Sequence, residues 1–531
     1  MKVGVSSMRK AIVCLFLGVL FLPAMLAVGT KVSGKELDVP LSGYTDSTQK
    51  PEFSLKSFWD GQFQSSYTAW YQENFQPRGV FIRNYNTIRY NIFQLDNQRI
   101  IGKNHDIFEL GYINAELCIG GSSDFSQPEA QRAAQEYVSK LEQLKEELDK
   151  YGKALYVVLT PSKADFHREN IPDKYVALSD PDAVPGQDYL AQLLEETDIP
   201  HIVCADYKDD LTYPAFYHSG IHWSRTFEQE TFARLINGLG EYMGEPFPRI
   251  HLGEVAAQDT PFWRDADVFK LTNTWNPYTE TYYQYDVSTD YPDGYSSLGI
   301  LFQGTSFSIG LFNDFSSLMP EGTAIYINRN DYINTGDGNV AFESFEELDL
   351  SGYLDQVDAV VIEVLPAELE NYSHGFVEAM LATLETYAPA AYMENLDVTS
   401  SEAWDTAYLT GLHSRETNHV WTEKTCEVTI EDPAVKETGL EISYAVPSQF
   451  FKVTDAANVK IYVNGVMVED LDYQESWRGS VLLTPEQLAF VEGDVYSVRL
   501  SCDTSFIPAE TDGTADTREL SLRLYYIGRK R

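Results

Sequence analysis

Between residues 128 and 384, short uninterrupted apolar runs alternate with stretches whose apolar side chains recur every three or four positions. The runs are ALYVVLT at 154–160, IPHIVCADY at 199–207, SLGILFQ at 297–303, TAIYIN at 323–328 and VDAVVIEV at 357–364. Apolar on successive positions, they read as strands covered on both faces, which is the pattern of a parallel sheet. Tyr137, Leu141, Leu144 and Leu148 mark one amphipathic helix, Phe232, Leu235, Ile236 and Leu239 a second, and Phe376, Met380, Leu381 and Leu384 a third; another is expected near residues 188–196. Strands alternating with helices imply an α/β fold, a mostly parallel sheet with helices on both faces. In such sheets, ligands meet the loops at the carboxyl ends of the strands.

From about residue 415 the texture changes to short alternating stretches separated by turn residues, among them GLEISYAV, NVKIYVNGVMVED and VYSVRLSCD, with Asn464-Gly465 as a hairpin signal. That texture predicts an all-β sandwich over residues 421–531, joined through a linker at 396–420. At the other end, Lys2, Arg9 and Lys10 precede an apolar run over residues 11–28. This has the layout of an export signal, and it also approaches the ~20 apolar residues that span a bilayer. Residues 1–30 are therefore a cleaved signal peptide or a signal anchor. Either one places the rest of the chain outside the cytoplasmic membrane, after a polar tether over residues 31–52.

The 80 acidic residues against 39 basic ones give a net charge of −41, a field that repels nucleic acid, and no basic stripe interrupts it. Among the five cysteines there is no CxxC and no Cys/His cluster, so neither a metal nor a cofactor is expected. Cys426 and Cys502 share the C-terminal region and are open to pairing.

Two residues stand out for chemistry. The run at 297–303 leads into Gly304-Thr305-Ser306-Phe307-Ser308 and then a helix from about Ile309. A serine on that strand-to-helix turn is exposed at the sheet edge, beside N–H groups able to hold an oxyanion, although a serine there also caps helices without doing chemistry. A serine hydroxyl needs a base, and His222 falls in a loop just before the helix that Ser224 caps. His218 and His222 have the spacing of HExxH, but HSGIH lacks the glutamate, which argues against zinc.

Taken in order, GKNHDIFELGYI, LTPSK, FYHSGIHWS and GTSFS resemble the motifs of the SGNH-hydrolase-like domain of the alginate O-acetyltransferase AlgX/AlgJ family and its Gram-positive relatives. The resemblance covers residues 53–395. It implies a permuted SGNH-like domain that carries an acetyl group on Ser306, with His222 as base. The acceptor would be an extracellular polysaccharide, and a membrane-bound O-acyltransferase would supply the acetyl group. The family places an aspartate two residues before the histidine, where this chain has Gly220. Three outcomes follow from that: a weaker Ser-His dyad, an acid supplied from elsewhere, with Asp206 and Asp267 as candidates, or a protein that binds polysaccharide without catalysis. A carbohydrate esterase would use the same residues.

Substrate contacts are expected from Lys163 of the PSK motif and from the aromatic stretch 275–295, with Trp275, Tyr278 and Tyr283 forming either a sugar groove or packing under a long loop. Trp477, beside Tyr473, is expected to form a carbohydrate platform in the sandwich.

Overall fold

The apolar runs become neighbouring strands of one seven-stranded sheet. The computed structural model of the chain describes residues 5–34, 37, 39–43, 48–75, 77–94, 99–121, 123–276, 280–292, 295–336, 338–389, 392–398, 409–416, 418–491 and 493–531. Tyr278, part of the tether and much of the linker lie outside those residues.

Helix α1 (Val5–Ser33) contains a stretch, Arg9–Ser33, that is long and apolar enough to cross a membrane, and its apolar side chains are mostly exposed. Then follow α2 (Gln62–Asn74), α3 (Arg78–Ile88), α4 (Pro128–Asp149), β1 (Ala154–Leu159), α5 (Gly186–Glu195), β2 (His201–Val203) and α6 (Arg225–Met243). The chain continues through β3 (Arg249–Gln258), α7 (Asp267–Leu271), β4 (Tyr282–Asp290), β5 (Gly299–Gly304), α8 (Ser308–Leu318) and β6 (Thr323–Asn328). After β7 (Tyr332–Asn334), β8 (Asn339–Ala341) and β9 (Ala359–Val364), helix α9 (Phe376–Leu384) completes the layer.

The sheet order is β8-β7-β6-β5-β9-β1-β2. The strands from β6 to β2 pair in parallel, while β7 and β8 add an antiparallel edge. Side chains alternate between two cores. Ala154, Tyr156, Val158, Ile300, Phe302 and Val361 pack with α6 and α8, whereas Leu155, Val157, Leu159, Leu301, Val360 and Ile362 pack with α4, α5 and α9. All six residues of β1, of β5 and of β9 are buried, as the unbroken apolar runs require. Strand β5 sits at the centre of the sheet, so the turn after it opens mid-edge.

The C-terminal strands β10 (Val420–Glu431), β11 (Leu440–Val446), β12 (Ala457–Val463), β13 (Val466–Tyr473), β14 (Trp477–Leu483), β15 (Val495–Cys502) and β16 (Arg523–Arg529) pair antiparallel in the order β13-β12-β15-β10-β16-β11-β14. The long β10 joins the two layers, pairing with β16 through Val420 and Trp421 and with β15 from Thr425 onward. Asn464 and Gly465 both have positive φ, as a tight hairpin between β12 and β13 requires. Cys426 and Cys502 are buried free thiols rather than a disulfide. On neighbouring strands, Cys426 faces Leu500 while Cys502 faces Val459, so their registers miss by two residues.

Candidate active site

Ser306 follows the carboxyl end of β5 and is partly exposed, and the first turn of α8 begins at Ser308. Its hydroxyl lies 2.7 Å from His222 Nε2, and His222 Nδ1 lies 2.6 Å from Asp267 Oδ2. With the tautomer assigned from these partners, Nδ1–H donates to the carboxylate and Nε2 accepts from the serine. The other Asp267 oxygen accepts from the backbone N–H of Val268 (2.8 Å) and of Ile221 (3.2 Å). Phe307 packs against the imidazole at 4.9 Å between centroids, and Trp223 packs against Phe307 at 5.4 Å.

Of the two candidate acids, Asp267 stands beside the histidine and Asp206 does not. Asp206 lies in the short turn Cys204–Tyr207 after β2, at the far edge of the sheet. Strand β2 is three places from β5, about 14 Å at the usual ~4.8 Å spacing.

Gly220 explains how a carboxylate from a distant segment reaches this place. A β-carbon at position 220 would fall 2.7 Å from the carbonyl oxygen of Arg264 and 2.8 Å from that of Asp265. The segment that leads into Asp267 therefore lies in the space that a larger residue at 220 would fill. That segment is fastened at several points. Ser219 Oγ donates to the Asp265 carbonyl at 3.2 Å, the Phe269 N–H donates to the Ser219 carbonyl at 3.0 Å, and the Arg225 N–H donates to Asp265 Oδ1 at 2.9 Å. Burial pushes the Asp265 carboxyl up to about 7, with the neighbouring Glu228 carboxylate adding to the shift.

A buried ionic cluster adds rigidity. Glu228 accepts from Trp223 Nε1 (2.9 Å), from Arg225 (2.6 Å) and from Arg264, while Arg225 also pairs with Asp314 of α8 (2.7 Å). The cluster ties the residue after His222, the start of α6, the segment before Asp267 and the helix after Ser306. Removing one member of such a cluster strands its partner's charge, at a cost of about 3–5 kcal/mol.

Lys163, expected to meet substrate, is instead completely buried. Its ammonium pairs with Asp106 at 2.7 Å and donates to the carbonyls of Tyr217 (2.8 Å), His218 (3.2 Å) and Gly220 (2.5 Å). Asp106 also meets His167 Nδ1 at 2.6 Å and Asn170 at 3.1 Å. A lysine whose donors are spent on the carbonyls of the loop before His222 cannot reach a ligand. It clamps that loop. The GKNHD, PSK and YHSGIHW motifs thus form one buried support for the imidazole.

The remaining expected contacts lie elsewhere. Trp275 is half-exposed, and its ring N–H donates to Asn84 of α3 at 3.1 Å. Tyr283 packs on Tyr213 at 4.9 Å between centroids. Trp477 packs with Tyr444 (5.0 Å) and Tyr473 (5.3 Å) in the C-terminal sheet.

Three pairings near the site join residues distant in sequence. His218 meets Glu280 at 2.8 Å, a pair that raises the His218 pKa. Arg329, after β6, pairs with Glu368, which also meets His374 at 3.1 Å; Glu368 follows β9. Since β6 and β9 flank β5, this group brackets the serine turn.

The third is made by Glu363 of β9, buried beneath the turn. Its Oε2 accepts from the Thr305 N–H at 2.6 Å, and its Oε1 lies 2.7 Å from Thr160 Oγ1, which also reaches the Val364 carbonyl at 3.1 Å. Gly304 permits this approach, since a β-carbon there would fall 2.7 Å from Glu363 Cβ. Burial raises the Glu363 pKa. A neutral carboxylic acid satisfies every partner: its O–H donates to Thr160, Thr160 donates to Val364, and the other oxygen accepts from Thr305. Glu363→Gln preserves that pattern and should keep activity within about threefold, whereas Glu363→Ala orphans the Thr305 N–H at about 1–3 kcal/mol. Thermal melts and acetyl-ester turnover on both variants check this; a Gln variant as damaged as the Ala variant would mean an ionised Glu363.

A serine, a histidine and an aspartate hydrogen-bonded in line, at the carboxyl edge of a parallel sheet, are the parts of a serine acyl-transfer site. Residues 121–235 match the family model described as SGNH hydrolase-like domain, acetyltransferase AlgX. The matched stretch contains Lys163, Gly220 and His222, and ends before Asp267 and Ser306. No curated protein matches the chain in sequence. Among solved structures, AlgX of Pseudomonas aeruginosa is 13% identical over 84% of this chain and 98% of its own, at a TM-score of 0.33. The O-acetyltransferase domain of Pseudomonas putida AlgJ is 10% identical over 54% and 99%, at 0.32, and Bacillus cereus PatB1 is 10% identical over 45% and 91%, at 0.28.

Proposed function

We propose that the chain is an O-acetyltransferase that acts outside the cytoplasmic membrane, moving an acetyl group to a hydroxyl of a cell-surface or secreted polysaccharide. The observation that carries this reading is the line from Ser306 through His222 to Asp267. It answers the difficulty that Gly220 raises, and it favours catalysis over a binding-only role. The order of His222 before Ser306 supports a permuted SGNH arrangement.

In the first step Ser306 Oγ attacks the acetyl carbonyl while His222 Nε2 takes the hydroxyl proton. Asp267 stabilises the imidazolium, and the Ser306 N–H, in the turn just before α8, stabilises the oxyanion. The carbonyl reforms as the donor's leaving group departs with the proton from His222, which leaves acetyl-Ser306. In the second step the sugar hydroxyl gives its proton to His222 and attacks the ester, and Ser306 recovers its proton. The proposed donor is acetyl delivered by a membrane-bound O-acyltransferase. Sugar contacts are assigned to Trp275, Tyr283 and the Trp477–Tyr473 platform; Lys163 has no such role.

The test is to incubate the protein with an activated acetyl ester, quench, and map acetyl by peptide mass spectrometry, with and without polysaccharide acceptor. The expected result is acetyl on the peptide containing Ser306 that is discharged to acceptor. Free acetate released at the same rate with or without acceptor would make the protein an esterase, and no acetylated Ser306 would remove the catalytic reading.

A further inference from the structure

The segment after α1 is unusually aromatic and unusually open. The helix Leu55–Trp59 and α2 contain no buried residue, and Phe53 (60% exposed), Leu55 (70%) and Trp59 (81%) face outward. Their rings touch one another rather than a core: Phe53 meets Phe63 at 5.2 Å, Phe63 meets Tyr67 at 5.6 Å, Tyr67 meets Trp70 at 5.5 Å and Tyr71 meets Phe75 at 5.6 Å between centroids. Water is a poor solvent for such a ladder.

Chain length limits what can cover it. Arg83 of α3 donates to the Pro40 carbonyl at 2.8 Å, and the Ser42 N–H donates to Asn273 at 2.8 Å. The body is therefore pinned at Pro40, seven residues beyond the last residue of α1 at Ser33. Seven residues reach at most about 25 Å. The local charge fits as well: residues 51–94 carry four basic side chains against three acidic ones, in a chain whose net charge is −41. The strongly acidic surface that repels a membrane elsewhere is absent from this segment. Tryptophan and tyrosine favour the headgroup region, where an amphipathic ring meets both phases.

We propose that residues 53–75 lie in the headgroup region of the lipid bilayer that α1 crosses, so that the body is held against the membrane by two attachments. The inference stands apart from the acyl-transfer reading, since it rests on the exposure of the aromatic helices and their distance from α1. It has a consequence for the site. The aromatic helices run into α3, whose Arg83 and Asn86 donate at 2.8 Å to the carbonyls of Thr274 and Thr272, just after the helix that begins at Asp267. Membrane contact would set the height and orientation of the site above the bilayer.

The test uses the full chain in phosphatidylcholine vesicles, with and without bromine on the acyl chains, and reads tryptophan fluorescence. The apolar helix holds no tryptophan, and Trp59 and Trp70 are two of eight in the chain. The expected result is a bromine-dependent loss of roughly a tenth to a quarter of the emission, abolished in the Trp59→Phe, Trp70→Phe variant, which keeps both rings aromatic and so preserves the fold. No bromine-dependent loss would overturn the proposal and leave the aromatic face to a protein partner. A loss that persists unchanged in the double variant would overturn it as well, by placing other tryptophans at the lipid. Neither reading depends on whether Ser306 is active.

Discussion

Asp267→Asn is expected to lower the acetyl-transfer rate by about 10⁴ with little change in KM, equivalent to about 5 kcal/mol of transition-state stabilisation. The reason is the proton inventory at Nδ1. Asp267 Oδ2 accepts from His222 Nδ1–H at 2.6 Å, which leaves Nε2 free to take the Ser306 proton. An asparagine can keep its oxygen toward the Ile221 and Val268 N–H groups, as Asp267 Oδ1 does now. Its amide N–H₂ then faces the imidazole and favours the tautomer with the proton on Nε2, which cannot act as base. Because those backbone contacts survive, the melting temperature should move by only a few degrees while turnover collapses. Asp206→Asn, on the turn after β2, should leave turnover unchanged. Steady-state kinetics on both variants decide it, and an Asp267→Asn enzyme within about tenfold of wild type would sink the role given to Asp267.

The strands β1, β5, β6 and β9 were legible because each carries a run of consecutive apolar residues, and a chain that buries both faces of a strand has little choice of composition. Ser306 and His222 were legible through motif and through their place at strand ends. The acid was narrowed only to two residues, for a physical reason. Nothing in WRDADVF marks Asp267 locally; its position is set by contacts between its segment and Ser219, Ile221 and Arg225, forty or more positions earlier in the chain. At the level of one motif, Gly220 is the absence of a carboxylate and leaves open whether another segment supplies one. The space that glycine vacates became visible only with the backbone of Arg264 and Asp265 beside it. Lys163 misled for a related reason. A lysine in a loop motif reads as exposed, and its neutralising partner Asp106 lies 57 residues earlier. The cysteines Cys426 and Cys502 share a region of sequence but not a register, which composition does not report.

Gly220→Asp, which installs the residue the AlgX/AlgJ motif has at this place, should damage the protein rather than restore it. Any side chain at 220 starts with a β-carbon 2.7–2.8 Å from two backbone oxygens. Those oxygens belong to a segment tied by Arg264 to Glu228, by Asp265 to Arg225 and by Phe269 to Ser219, so they can retreat only by carrying Asp267 with them. Overpacking of this kind costs about 1–3 kcal/mol, and a further carboxylate among Asp265 and Asp267 adds the penalty of a buried like charge. The variant should therefore lose about 2–4 kcal/mol of stability by denaturant melt and at least about tenfold in turnover. Gly220→Ala, with the same first atom and no charge, should show the steric part alone. The discriminating measurement is the double variant. If the two acid positions were interchangeable, Gly220→Asp would rescue Asp267→Asn. Since the two positions compete for one space, the pair should be no more active than Asp267→Asn alone and less stable than either single variant. Rescue to within about tenfold of wild type would mean that the backbone at 264–265 yields easily and that the carboxylate's position, rather than the segment that carries it, is what this fold maintains.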